Sequence, residues 1–175
     1  MKILLSIIGA ITLVGTSTTS LVACNTPQEY TPEELAQLKK ENQINTVNQE
    51  IKDNLKWIAP QEKAFNTVDN KYYYIAWKGK NWNITKFKND EEIIPPKHEY
   101  RYKLLQEKEE YKIQLRYYSH NDTNIDLIIF KSINEPTLIW GKNNNNFKSV
   151  YRWNLDTQEP DLIVDDKGNI KINGE

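Results

Sequence analysis

Apolar positions along this chain follow three successive patterns. Residues 3–14 are mostly apolar behind the single charge of Lys2, and a small polar stretch, residues 15–20, follows them. From Leu35 the apolar residues thin to a helical rhythm, and from residue 71 they alternate with polar ones as strands do.

The middle pattern opens on Thr31-Pro32-Glu33-Glu34. Thr serves as N-cap, Pro takes the first helical position, and Glu stands three residues after the cap. Leu35, Leu38, Ile44, Val47, Ile51, Leu55 and Ile58 then form one narrow stripe that slips at Asn42, and Pro60 ends it. The spacing predicts one amphipathic helix over residues 31–59, roughly 40 Å long. A single stripe suits a helix laid on its own sheet better than a stalk, because it is too short for sustained heptads.

Beyond it, residues 71–78 (KYYYIAWK) and 82–88 (WNITKFK) flank Gly79-Lys80-Asn81 as a hairpin. Pro95-Pro96 breaks the run. Residues 99–106 and 111–118 flank a charged turn, and Tyr111, Ile113, Leu115 and Tyr117 share one face of the second. Further strands are predicted at 125–133, 138–140, 148–155, 162–164 and 170–172. Asn, Pro and Gly-containing turns separate them. The fold class is therefore α+β and mostly β: an N-terminal amphipathic helix, then an antiparallel β-meander over residues 71–175. A curved sheet or small barrel with the helix packed on it is the economical arrangement.

The first pattern has the order of a secretory signal: a basic residue, a short apolar run and a small-residue region. It closes on Leu21-Val22-Ala23-Cys24, which holds the only cysteine. This quartet resembles the bacterial lipobox, and the whole leader resembles those of mollicute (spiroplasma-type) surface lipoproteins. The resemblance implies that residues 1–23 are removed and that the Cys24 thiol becomes a diacylglyceryl thioether. Residues 24–30 then form a tether on the extracellular face of the cell membrane. Two acyl chains suffice for stable anchoring without a basic patch. A disulfide would need a second cysteine, and an uncleaved membrane span is opposed by the polar residues 16–20.

About 150 residues remain after the leader, enough for one domain with its own core. The formal charge of −1 argues against nucleic acid as a partner. Lys, Asn, Ile and Tyr supply about 40% of the chain, which reflects AT-rich codons more simply than selection for binding. A second likeness lies in Tyr151-Arg152-Trp153-Asn154, followed by Glu159-Pro160 and Asp165-Asp166-Lys167-Gly168-Asn169-Ile170. It resembles the endings of uncharacterised spiroplasma and plectrovirus-associated proteins, and implies no activity.

Candidate chemistry is sparse. The sequence holds no Gly-rich phosphate loop, no G-x-S-x-G elbow and no spaced His/Cys set. His98 and His120 stand in polar surroundings, and the carboxylates at Glu91-Glu92 and Glu107-Glu110 read as charge on hairpin tips. Residues 165–169 share some residue types with a calcium loop, but the ligand spacing is wrong and a turn is the simpler reading. No catalytic residue, cofactor or metal is expected.

The aromatic strands carry the functional colour. Rings on the core side pack, while rings on the other side are either covered by the helix or left exposed. Exposed Tyr and Trp would make a platform for a protein or glycan of a host or neighbouring cell. Tyr73, Trp77, Trp82, Tyr118 and Trp153 are the candidate binding face. The expected function is that of a non-enzymatic surface lipoprotein with a binding or adhesion role. An exclusion lipoprotein of a phage or plasmid, or an accessory transport lipoprotein, is the alternative.

Overall fold

The computed structural model describes residues 29–93, 101–118, 124–142 and 145–175, with the side chain of Tyr118 left out. The chain is α+β and mostly β, and its described strand pairs are antiparallel.

The stretch expected to be one helix divides into three elements. Helix α1 spans Pro32–Glu41, helix α2 spans Gln49–Asn54, and strand β1 spans Leu55–Trp57. The N-terminal signal acts as its residue types dictate: the Thr31 hydroxyl accepts from Glu34 N–H, and the Glu34 carboxylate accepts from Thr31 N–H at 2.8 Å. The single long helix fails where its stripe slips. Asn42 terminates α1, its side-chain amide donating to the Leu38 carbonyl at 2.9 Å. Asn48 then starts α2 by accepting from Ile51 N–H. Leu55 turns extended because a sheet edge offers it backbone partners: Leu55, Lys56 and Trp57 stand opposite Trp153, Arg152 and Tyr151. Six- and ten-residue helices are marginal alone, so tertiary pairing decides this segment.

The remaining strands are β2 (Tyr72–Lys78), β3 (Trp82–Lys88), β4 (Tyr102–Lys108), β5 (Tyr111–Tyr118), β6 (Asn124–Phe130), β7 (Leu138–Ile139), β8 (Phe147–Trp153), β9 (Leu162–Val164) and β10 (Ile170–Ile172). The meander is real only for β4-β5-β6-β7, which form a four-stranded sheet in that order. A second sheet has the order β1-β8-β2-β3, and β9 and β10 make a separate hairpin. The strands are thus divided among three sheets, where one curved sheet or a barrel was expected.

The two larger sheets share a core. Tyr73, Ile75, Trp77, Phe87 and Val150 from one meet Ile113, Leu115, Leu127 and Ile129 from the other. Phe65 leans on this cluster, its ring centroid 5.1 Å from that of Tyr73. A polar chain crosses the same core: Trp77 Nε1 donates to Thr85 Oγ1 at 2.8 Å, and Thr85 is bonded in turn to Gln106 on β4. The opposite face of the β1-β8-β2-β3 sheet carries Tyr74, Ala76, Tyr151 and Trp153. Leu162 and Ile170 of the β9-β10 hairpin cover it, together with Ile44 from the connection between α1 and α2. Complete burial of such side chains is worth about 1.5–3 kcal/mol each, so this sheet is held strongly from both sides.

Candidate functional site

The face singled out by the sequence is interior. Tyr73 and Trp77 are 0% exposed and Trp153 is 2% exposed. The reason is the three-layer arrangement: β2 lies inside its sheet and has a core on each side, so odd and even positions are both covered. Trp82 is half-buried; its indole lies against Gly168, and Lys78 Nζ is 5.7 Å from the ring centroid. Tyr118 ends β5 opposite Asn124, and its side chain lies outside the described residues. Cys24, Leu21, Val22, Ala23, His98 and His120 also lie outside them. Tyr73, Trp77 and Trp153 therefore present no binding surface.

The charged turns behave as surface features. Glu107 pairs with Lys112 at 3.3 Å, Glu109 with Lys80 at 3.7 Å, and Glu110 with Lys131 at 3.6 Å. Exposed pairs of this kind contribute little stability. Asp165 organises the β9-β10 turn, its carboxylate accepting from the N–H groups of Lys167 and Asn169. Lys171 Nζ stands 3.1 Å from the same carboxylate. These contacts, the Asn169 N–H foremost, hold the Asp165 carboxyl well below the usual carboxylate range. Among the described residues no three His, Cys, Asp or Glu side chains are grouped to hold a metal, and no helix is long and apolar enough to cross a membrane.

The concave feature with mixed chemistry is a cleft of about 510 Å³ between the α1–α2 connection, β8 and β10. Its volume falls within the usual range of small-ligand sites, about 300–1,000 Å³. Ile44, Tyr151, Ile170 and Ile172 supply apolar lining. Tyr151 fixes one wall, since its hydroxyl donates to the Asn42 carbonyl at 2.7 Å and so ties β8 to the end of α1. Burial pushes the Tyr151 phenol up to about 12, which keeps it protonated as this donor. Gln43 secures the same connection by donating to the Lys52 carbonyl at 3.1 Å.

A β-bulge shapes the polar part. Ala76 faces Ser149, yet its neighbour Trp77 faces Phe147, so Lys148 is an extra residue with no partner on β2. Bulges redirect side chains, and here Lys148 and Ser149, adjacent in sequence, both line the cleft. Lys148 makes no ion pair among the described residues. Ser149 is only 8% exposed, and its hydroxyl has no hydrogen-bond partner among them. By contrast Lys171, also lining the cleft, is engaged by Asp165, and Glu175 accepts from Thr46 Oγ1 at 3.0 Å. In the sequence, Lys148 and Ser149 stand as two adjacent polar residues between Phe147 and Val150, a break in the period-two pattern that marks an irregular strand without saying which surface its side chains reach. Compared with known proteins, the chain matches no family model, no curated protein and no solved structure.

Proposed function

We propose that this chain is a lipid-anchored protein on the extracellular face of the cell membrane, whose β domain binds a small ligand without transforming it. The observation that carries the anchor is Leu21-Val22-Ala23-Cys24, closing a leader of basic, apolar and small-residue regions. A thiol at that position is the nucleophile that lipid attachment requires, and the chain offers no other. Support for a binding role comes from the cleft. It combines an apolar lining with an ammonium and a hydroxyl that have no partner among the described residues, the mixture of bulk and fixed polar groups found in ligand sites.

Metabolic labelling with radioactive palmitate tests the anchor. Wild type is expected to take up label and partition with membranes, and Cys24→Ser to do neither. Label that persists without the thiol would overturn the reading. Protease added to intact cells should remove the domain, as its external location requires.

A further inference from the structure

We infer that the cleft takes a short apolar peptide by its two charged ends, with the carboxylate on Lys148 and Ser149. This rests on the binding role assigned to the cleft above and names its ligand class. The residues lining the cleft include two lysines, Lys148 and Lys171, and two glutamates, Glu41 and Glu175. Both signs are present, so a ligand with a large net charge of either sign meets like charge in the lining. Lys171 is already neutralised by Asp165 at 3.1 Å, which leaves Lys148 as the cation available to an anion. A single ammonium beside a single hydroxyl suits a monoanion. A phosphate dianion would meet the glutamates without a second free cation to offset them.

The glutamates give the other half of the argument. Glu41 accepts one hydrogen bond, from Gln37 Nε2 at 2.8 Å, and Glu175 accepts one, from Thr46. A carboxylate offers about four lone-pair sites, so each retains capacity for an ammonium donor. Neither glutamate is within ion-pair distance of Lys148, so the cleft holds separated charges of opposite sign. A zwitterion can satisfy both at once. Between its ends, an apolar side chain can rest against Ile44, Ile170 and Ile172. An N-terminal amine and a C-terminal carboxylate separated by an aliphatic residue have this layout.

The test is calorimetry on the full lipidated chain in detergent micelles, with the tripeptide Ala-Leu-Ala as probe. Free peptide is expected to bind saturably. Amidating its C-terminus should weaken binding about tenfold, and Lys148→Met should weaken the free peptide equally. In Lys148→Met, amidation should cost nothing more, because the two changes remove one interaction. Ser149→Ala should lose about threefold, and N-acetylation should match Glu41→Gln. Equal binding of free and amidated peptide, or unchanged binding to Lys148→Met, overturns the inference. Octanoate and inorganic phosphate separate the two readings. If one of them binds in a Lys148-dependent way while the peptide does not, the peptide class fails and the binding role stands. If no probe binds, both fail, and palmitate labelling judges the anchor independently.

Discussion

The indole of Trp82 lies flat against Gly168, so close that a Cβ built there would sit 2.6 Å from Trp82 Cδ2. Gly168 also has φ +85°, a conformation that costs other residues energy. This contact docks the β9-β10 turn on the β1-β8-β2-β3 sheet and so fixes one wall of the cleft. Gly168→Ala should lower stability by about 2 kcal/mol or more, combining backbone strain with overpacking. Urea denaturation followed by tryptophan fluorescence measures it. In a Trp82→Leu background the overpacking is relieved and only the strain remains, so the penalty there should be smaller. An equal penalty in both backgrounds would mean the contact contributes nothing.

Thr85 joins the two large sheets through a polar chain in an otherwise apolar core. Its hydroxyl accepts from Trp77 Nε1 and bonds Gln106 across the interface. Thr85→Val keeps the volume and removes both bonds, leaving the buried Trp77 Nε1–H unpaired at about 1–3 kcal/mol. Thr85→Ser should retain most of the stability. If valine and serine variants unfold at the same urea concentration, the hydroxyl is not the stabilising group.

Three buried phenols predict a fall in stability at high pH. Burial raises Tyr151 to about 12. It raises Tyr73 and Tyr74 further, with the Asp69 carboxylate adding to the effect on Tyr73 and Glu159 to that on Tyr74. In the unfolded chain these groups ionise near 10. The native state therefore holds protons that the unfolded state has released, and stability must decline as pH rises above about 10. Below that value their contribution is complete. Unfolding midpoints at pH 9, 10 and 11, with phenolate absorbance recorded alongside, should show a progressive decline. Ionisation of these three phenols should accompany unfolding. A constant midpoint with early phenolate signal would contradict the burial described.

Much of the fold was legible because alternation is a local property. Tyr111-Lys112-Ile113-Gln114-Leu115-Arg116-Tyr117 puts apolar groups on one side whatever surrounds it, and β5 has that orientation with Ile113 and Leu115 in the core. The turn at 165–169 was equally legible, since Asp, Gly and Asn supply their own hydrogen bonds and φ values. The residues of the cleft were not. Lys148 owes its place in the cleft to a one-residue mismatch between β2 and β8, strands roughly seventy positions apart in the chain, and a mismatch belongs to the pair.

By itself, then, the sequence determined the strands, their turns and the mostly β class, because period-two patterning and turn chemistry act over a few residues. It also holds the Leu21-to-Cys24 pattern on which the anchor proposal stands. Tertiary structure alone decided the fate of residues 42–58 and of the aromatic rings. A helical stripe gave way to β1 where β8 offered backbone partners along a free edge. The rings of Tyr72-Tyr73-Tyr74 point to both faces of β2, and local pattern cannot say whether a face is covered. Here both are, one by the β4–β7 sheet and the other by the β9-β10 hairpin with Ile44. Coverage depends on which distant layers pack together, and that moved the candidate site from an aromatic face to a cleft beside Lys148.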